Sequence, residues 1–275
     1  MNVANKTVFI TGSTDGVGRY VALELAKQGA NLLIHGRDAA RGKAVVDEIS
    51  RSGKSSAKFY QADLSSLADV RKLADAVTAD HKKLDIFISN AGIGSRNYGP
   101  ERRISADGFE LRFAVNYLAG FLLAYRLLPL IKAAAPSRIV NVASLGQAPL
   151  DFDNLMLERE YNGVRAYGQS KLSQIMFTID LAEELKGSGV TVSALHPATY
   201  MNTTMVRAGG NTPISTVEEG GAAILHLATG DDMEGRSGLF FNGMHEQRAS
   251  AQAYDAPARK KLRALSLKLT GLDMS

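Results

Sequence analysis

The feature that most limits the possible folds is a regular alternation of short apolar runs with longer amphipathic stretches. The apolar runs are almost uninterrupted, as in parallel strands that helices cover on both faces. Alternating strands and helices predict right-handed crossovers, and hence a doubly wound three-layer α/β fold with a central, mostly parallel seven-stranded sheet. The seven predicted strands are 6-KTVFIT-11, 31-NLLIHG-36, 57-AKFYQA-62, 84-LDIFIS-89, 138-RIVNVA-143, 190-VTVSAL-195 and 238-GLFF-241.

The stretches between these strands carry helical periodicity, and the clearest helices are predicted at 19–29, 66–77 and 105–134. Two segments, at about 145–163 and about 197–215, do not follow the alternation. Both follow predicted strands, and ligands of doubly wound folds bind outside the carboxyl ends of the strands. We therefore expect these two segments to form the walls of a substrate site.

A glycine-rich turn follows the first predicted strand, with the sequence 11-TGSTDGVG-18. Such a turn lets backbone N–H groups approach a pyrophosphate at the N-terminus of the next helix. The spacing of Gly12, Gly16 and Gly18 differs from the commoner G-x-G-x-x-G, and no Lys-Ser/Thr pair follows as in a Walker loop. A dinucleotide site and a tight structural turn are both compatible with this pattern.

The second predicted strand ends in Gly36-Arg37-Asp38. At this point, roughly 20 residues past the glycine turn, an acidic residue binds the ribose of NAD and an arginine accommodates the 2′-phosphate of NADP. Arg37 favours NADP(H) over NAD(H). Asp38 would favour NAD as a ribose ligand, but it also stands where an N-cap of the next helix is expected.

Tyr167 and Lys171 begin the predicted helix 166–185. Four residues span about one helical turn, so both side chains leave the same face. The apolar residues of this helix lie on the opposite face, and they do not explain a phenol beside an ammonium.

Together these features resemble the short-chain dehydrogenase/reductase family over essentially the whole chain, and specifically its retinol dehydrogenase and protochlorophyllide reductase branch. The resemblance implies a Rossmann fold in one domain, residues 1–275, with a cofactor half at about 1–143 and a catalytic and substrate half at about 144–275. The motifs that carry it are Thr11-Gly12-x-x-x-Gly16-x-Gly18, Asp63-Leu64, Asn90-Ala91-Gly92, Asn116, Ser144 in 140-VNVAS-144, and Tyr167-x-x-x-Lys171.

The resemblance implies Asn116, Ser144, Tyr167 and Lys171 as catalytic residues, with Ser144 and Tyr167 also contacting substrate. Tyr167 would be the general acid. A fixed ammonium about 4 Å away contributes about 4 kcal/mol at a dielectric of about 20, which would lower the pKa of the phenol by about three units, from about 10 to near 7. The implied cofactor-binding residues are Gly12, Ser13, Thr14, Asp15, Gly16, Val17, Gly18, Arg37, Asp63, Leu64, Asn90, Ala91, Gly92, Tyr167, Lys171, Pro197 and Thr199.

The chain also departs from the family pattern. An insertion, 147-QAPLDFDNLMLEREYNGVRA-166, separates Ser144 from Tyr167, and relatives with such an insertion act on lipophilic substrates. Ala198 stands where the family usually has a glycine, at a point where the backbone meets the nicotinamide carboxamide. The insertion could line an apolar pocket or pack on the protein body, through Leu150, Phe152, Leu155, Met156 and Tyr161.

Composition narrows the remaining classes. The absence of cysteine excludes disulfides and favours a cytoplasmic protein, and the early first strand predicts no signal peptide. The run 117–131 is interrupted by Arg126 and Pro129, so we expect no transmembrane segment. The five histidines are scattered, which predicts no metal site. The amphipathic tail 258–269 is expected to dock on the body, with membrane or nucleic-acid contact as alternatives.

Two functions therefore remain. The first is an NADPH-dependent reductase that reversibly converts a small-molecule substrate, a lipophilic ketone or aldehyde, to the alcohol. No nucleic-acid partner is expected, and homodimers or homotetramers are frequent among relatives of this kind. The alternative is a non-catalytic dinucleotide-binding sensor or scaffold, although such proteins typically lack the tyrosine or the lysine that this chain has.

Overall fold

The computed structural model describes residues 1–51 and 53–273, and its eight strands form one sheet. The strands are β1 (Thr7–Ile10), β2 (Asn31–Gly36), β3 (Ala57–Gln61), β4 (Ile86–Ser89), β5 (Ser137–Val142), β6 (Val190–His196), β7 (Leu239–Asn242) and β8 (His245–Glu246). Their order is β3-β2-β1-β4-β5-β6-β7-β8, and every pair except β7–β8 is parallel. All seven predicted strands are confirmed. The count of seven is wrong by one, because the chain turns back after β7 into a two-residue antiparallel edge strand.

Helices cover both faces of this sheet, which confirms the doubly wound prediction. They are α1 (Gly16–Lys27), α2 (Ala39–Arg51), α3 (Leu67–Asp80), α4 (Ala119–Ala133), α5 (Gly163–Glu184), α6 (Thr204–Ala208), α7 (Val217–Thr229) and α8 (Ala256–Thr270). The two faces of β1 illustrate the layering: Phe9 belongs to the apolar cluster under α3, α4 and α5, whereas Val8 and Ile10 belong to the cluster under α1 and α7.

The predicted helix 105–134 begins later than expected. Ile104 and Glu110 form an isolated antiparallel bridge, and Gly108 between them has a φ of +83°, which a helix does not contain. The helical path then includes a π-helix at Phe113–Leu118 before α4. π-helical turns are rare and concentrate at functional sites, and this one carries Asn116.

The stretch Phe113–Ala133 is long and apolar enough to cross a membrane, but 78% of its 18-residue window is buried inside the fold. Pro129 lies within the helix without ending it. The burial resembles that of a core helix in a soluble protein. The expected absence of a transmembrane segment stays a prediction.

The C-terminal helix α8 docks on the body as predicted. Leu262 is buried in the core cluster, and the Arg259 guanidinium is hydrogen-bonded to Asp180 and Glu183 of α5. In addition, the Tyr117 and Ser266 hydroxyls lie 2.7 Å apart. The apolar stripe of the tail therefore faces the protein.

Candidate active site

The glycine-rich turn after β1 requires its three glycines for different reasons. Gly12 and Gly16 have φ angles of +66° and +53°, in the left-handed region that favours glycine. A Cβ on Gly18 would lie 2.3 Å from the Gly12 carbonyl oxygen and 2.4 Å from Asn90 Nδ2. Asn90 also braces the turn, because its Nδ2 donates to the carbonyls of Thr11 (2.9 Å) and Gly12 (3.1 Å).

This turn leads directly into α1. The Asp15 side chain accepts a hydrogen bond from Gly16 N and caps the helix. The first N–H groups of a helix have no intrahelical acceptor, and here Arg19 N is the first to bond back, to the Asp15 carbonyl. The N–H groups of Val17 and Gly18 precede it, at the positive end of the helix dipole. An anion such as a pyrophosphate fits this position.

The glycine-rich turn lines a cleft at the carboxyl ends of the strands, but Ser13 does not line it. Its predicted contact with a cofactor therefore has no geometric support. The residue is buried. Its Oγ donates a hydrogen bond to the Ile10 carbonyl (2.8 Å) and accepts one from His35 N (3.0 Å). Burial lowers the pKa of His35 to about 4, and the neutral ring accepts from Gly12 N through Nδ1 (3.1 Å). Ser13 and His35 thus join the turn to β2.

The end of β2 separates the roles of its two charged residues. Asp38 Oδ1 accepts from Arg41 N at 3.0 Å at the start of α2, which confirms Asp38 as a helix cap. The Arg37 guanidinium lies 3.4–3.5 Å from the Tyr98 hydroxyl. Within residues 1–51 and 53–273, no carboxylate forms an ion pair with Arg37, so its donors are available to a phosphate.

Several further predicted cofactor residues lie around the same cleft after β3 and β4. Asp63 Oδ1 accepts from Ser65 N (2.9 Å), and Ala91 N donates to Thr11 Oγ1 (3.0 Å). Together with Thr14 of the glycine-rich turn, the residues that line the cleft here are Asp63, Leu64, Asn90, Ala91 and Gly92.

Tyr167, Lys171 and Ser144 meet at the carboxyl end of β5. Lys171 Nζ lies 5.7 Å from the centroid of the Tyr167 ring, one helical turn along α5. A Cβ on Gly146 would lie 3.4 Å from both Ser144 Oγ and a ring carbon of Tyr167, so those two side chains are neighbours. The structure therefore brings the predicted hydroxyl, phenol and ammonium into one cleft.

The electrostatics of this group differ from the prediction. Burial raises the pKa of Tyr167, and the hydrogen bond with Ser144 lowers it by less. The Lys171 ammonium donates instead to the Val142 carbonyl and to Gln174 Oε1, both at 2.9 Å. Burial lowers the pKa of Lys171 to about 7. The prediction that Lys171 lowers the pKa of Tyr167 to near 7 is therefore wrong.

Asn116 lies behind the cleft and does not line it. Its Oδ1 accepts from Ile93 N (2.8 Å), and its Nδ2 donates to the Ile93 carbonyl (3.1 Å) and to Ser170 Oγ (2.9 Å). The Ser170 hydroxyl in turn donates to the Tyr167 carbonyl at 2.7 Å. Asn116 thus connects the segment after β4 to the helix that carries Tyr167.

The segment after β6 closes over the glycine turn. Pro197 and Thr199 line the cleft, and Thr199 Oγ1 lies 3.0 Å from His196 Nε2. Burial, with a smaller contribution from the charge of Lys171, lowers the pKa of His196 to about 4. A Cβ on Gly16 would lie 3.2 Å from Thr203 Cγ2, so the start of α6 reaches the cofactor side.

The combined cleft has a volume of about 2290 Å³ and contains the predicted residues except Ser13 and Asn116. Both irregular segments, 145–163 and 197–215, contribute to it, as expected of site walls. Six large apolar residues that are exposed to solvent also line the cleft: Tyr98, Ile104, Leu145, Val164, Tyr200 and Met205.

Five large side chains of the insertion, for which pocket lining and packing on the body were both open, do not line the cleft. Leu150 and Leu155 are buried in the core, and Phe152 and Met156 pack against it. Tyr161 is hydrogen-bonded to Glu110 and Arg112. For these five residues, packing on the body is the correct alternative.

Sequence reasoning missed one wall of the cleft, the loop after β4, from Ile93 to Ile104. It contributes Arg96, Tyr98, Arg102 and Arg103. The signal was available, because this loop also follows a strand at its carboxyl end and lacks apolar periodicity. Elsewhere, the described residues contain no group of three or more His, Asp or Glu side chains that could hold a metal ion.

Comparison with known proteins agrees with this geometry. The model of the short chain dehydrogenase family matches residues 6–212. Retinol dehydrogenase 11 of Homo sapiens is 37% identical over 284 residues, which cover 99% of this chain and 88% of that protein.

Solved structures share the fold. The crystal structure of an uncharacterised protein from Mycobacterium paratuberculosis has a TM-score of 0.80 at 29% identity, and the match covers 100% of this chain and 96% of that one. The Pseudomonas aeruginosa RhlG/NADP active-site complex has a TM-score of 0.69 at 27% identity, with 88% and 95% covered.

Proposed function

Since the chain belongs to the short-chain dehydrogenase/reductase family, in its retinol dehydrogenase-like branch, we propose that it is an NADPH-dependent reductase of lipophilic aldehydes or ketones. The general activity follows from the family: an NAD(P)-dependent oxidoreductase that acts on CH–OH and C=O groups. The cofactor preference, the substrate class and the roles of individual residues are the proposal.

Three features of the cofactor side support NADPH. The turn at Gly12, Gly16 and Gly18 and the first N–H groups of α1 suit a pyrophosphate. The Arg37 guanidinium has no ion-pair partner among the described residues and can meet a 2′-phosphate with paired hydrogen bonds. Asp38, the competing ligand for a ribose, is already used as the cap of α2.

The observation that carries the proposed chemistry is the meeting of Ser144, Tyr167 and Lys171 in the cleft. When bound, NADPH supplies the hydride. Tyr167 donates its phenolic proton to the carbonyl oxygen, and Ser144 donates a hydrogen bond to the same oxygen as charge develops there. Because burial raises the pKa of Tyr167, the phenol is protonated at neutral pH and is ready to act as the acid of a reduction.

The substrate class rests on the lining of the cleft. Leu145 precedes the insertion, Val164 lies near its end, and Tyr200 and Met205 follow β6. Each of these side chains is at least 39% exposed, so an apolar substrate that covered them would remove apolar surface from water. Retinol dehydrogenase 11, a relative over nearly the whole chain, is named for a lipophilic alcohol, which supports the same class.

The proposal is tested by following NADPH oxidation at 340 nm with a panel of aldehydes and ketones of increasing apolar size. We expect turnover with lipophilic members of the panel, and faster turnover with NADPH than with NADH at equal concentrations. Tight NADPH binding without oxidation by any carbonyl, and without reduction of NADP⁺ by the matching alcohols, would instead support the sensor function.

A further inference from the structure

Arg112 is fully buried although its side chain ends in a guanidinium cation. Burying such a group is expensive unless hydrogen bonds and an opposite charge compensate for the lost hydration. The residue immediately precedes the π-helix and lies one helical turn before Asn116. The groups that Arg112 contacts therefore indicate its role.

Its partners come from the loop after β4. Nε donates to the Gly94 carbonyl (3.1 Å), and Nη2 donates to the carbonyls of Ser95 (3.0 Å) and Asn97 (2.6 Å). Asn116 already holds Ile93 of the same loop through both amide atoms. The two side chains, four residues apart on one helix, thus hold almost every residue of 93–97.

Nη1 of Arg112 connects this loop to the insertion. It donates to the Tyr161 hydroxyl and lies 3.5 Å from Glu110 Oε1. The Tyr161 hydroxyl donates to the same Glu110 oxygen (3.2 Å), and Glu110 Oε2 accepts from Phe113 N (2.7 Å). The buried charge is therefore neutralised locally, and the partners of Arg112 are all held in place by a second bond or by the backbone.

The guanidinium also lies against the first residue of α5. A Cβ on Gly163 would be 2.6 Å from the Ser95 carbonyl oxygen and 3.3 Å from Arg112 Nη2. Tyr167 follows Gly163 by about one helical turn. The position of the helix that presents the phenol is thus set against the loop that Arg112 holds.

The loop after β4 is also hydrogen-bonded to α6, on another side of the cleft. Asn97 Oδ1 accepts from Gly94 N (2.8 Å), and its Nδ2 donates to the Met205 carbonyl of α6 (3.2 Å). Through three carbonyls and one phenol, a single guanidinium therefore joins the loop after β4 to the insertion. It also packs against the start of α5, and through Asn97 it is linked to α6.

We propose that Arg112 is a positioning residue that sets the geometry of the substrate side of the cleft relative to Tyr167. This inference rests on the proposed reductase function for its kinetic consequence. Only arginine offers the planar set of five N–H donors that three carbonyls and a phenol need at once. A lysine would keep the charge but lose most of these bonds.

The test compares Arg112→Met and Arg112→Lys with Arg138→Met. Arg138 is a matched control, because it is also a buried arginine whose Nη1 donates to two carbonyls, those of Leu227 and Gly230. It lies at the amino end of β5, away from the cleft. Each variant is measured for stability in urea, for kcat and KM with the best carbonyl, and for the NADP⁺ dissociation constant.

For Arg112→Met we expect kcat/KM for the carbonyl to fall about 100-fold, because a misplacement of about 1 Å at a reacting centre has that effect. Arg112→Lys should recover part of it, and Arg138→Met should lose little at a similar loss of stability. In the NADP⁺-saturated protein, amide hydrogen exchange should accelerate at 93–97 and 161–166 in Arg112→Met, less in Arg112→Lys, and not in Arg138→Met.

Equal kinetic losses in Arg112→Met and Arg138→Met at equal stability would overturn the inference and leave a purely structural role. If Arg112→Met does not fold, Tyr161→Phe removes one of its partners and should still raise KM and exchange at 161–166, and a wild-type result there also overturns the inference. If the wild type reduces no carbonyl, the proposed function fails, and the exchange pattern alone decides the positioning role.

Discussion

Lys171 donates a hydrogen bond to Gln174, three residues further along α5, with 2.9 Å between Nζ and Oε1. The same nitrogen donates to the Val142 carbonyl at the end of β5, so helix and sheet together hold the side chain. Because this environment is buried, the pKa of Lys171 falls to about 7 from an ordinary value of 10.5. The lysine therefore changes charge near neutral pH.

This shift predicts a pH-dependent contribution of Lys171 to stability. Between about pH 7 and pH 10.5 the unfolded chain binds a proton at Lys171 that the folded chain has released. The free energy of unfolding of the wild type should therefore rise with pH in this window relative to Lys171→Met, by up to about 1.4 kcal/mol per pH unit. Below pH 7 the difference should be constant. Urea titrations of both proteins from pH 6 to 10 measure it, and parallel stability curves across that range would contradict the shift.

Removing the Tyr167 hydroxyl should nearly abolish turnover. Tyr167→Phe deletes the proposed proton donor, and general acid catalysis is typically worth about 10²–10⁴ in rate. The dissociation constant of NADPH should change by less than about threefold, because the phenol provides little of the surface that binds it. Tyr200→Phe is the matched control, since Tyr200 lines the same cleft. Normal turnover of Tyr167→Phe at saturating NADPH would contradict the assignment.

Replacing Arg37 should separate the two cofactors. A hydrogen bond to a charged group is worth about 1.5–3 kcal/mol, so Arg37→Ala should weaken NADPH by about 10- to 150-fold and leave NADH almost unchanged. Asp38→Ala should affect neither cofactor strongly, because Asp38 caps α2. Dissociation constants for both cofactors decide between the two residues: selective weakening of NADH in Asp38→Ala would reverse the assignment.

The cofactor preference is better tested by these variants than by Gly36→Asp. An aspartate at position 36 would offer a carboxylate to the free ribose hydroxyl of NADH. A Cβ there, however, would lie 2.6 Å from Thr14 Oγ1 and 2.7 Å from Thr14 Cγ2. The substitution would therefore also disturb the turn that binds the pyrophosphate.

The apolar lining of the cleft predicts a dependence on substrate size. Across a homologous series of aldehydes, kcat/KM should increase with chain length. The corresponding activation free energy should fall by up to about 0.8 kcal/mol for each methylene that becomes buried. Met205→Ser should flatten this series, whereas Met244→Ser should not, because Met244 is similarly exposed (47% against 40%) but lies outside the cleft. A preference for small charged carbonyls would rule out a lipophilic substrate.

The sequence alone determined the architecture and most of the cleft. Seven strands were predicted to within about two residues, because parallel strands under two helical layers must be apolar almost without interruption. The glycine turn and the Tyr167/Lys171 pair were predictable for a similar reason, since local spacing alone determines which backbone can approach a ligand and which side chains share a helix face.

Tertiary structure decided the properties that depend on distant neighbours. The insertion residues Leu150 and Leu155 have the same apolar character in a core as in a pocket, and only packing placed them in the core. The pKa of Tyr167 rises because burial outweighs the hydrogen bond with Ser144, and burial cannot be read from local spacing. The role of Arg112 had no sequence signal, because its hydrogen-bond partners lie 15 to 49 residues away along the chain. Periodicity records which way a side chain points from its own element, whereas its charge state and its partners depend on what the rest of the chain brings against it.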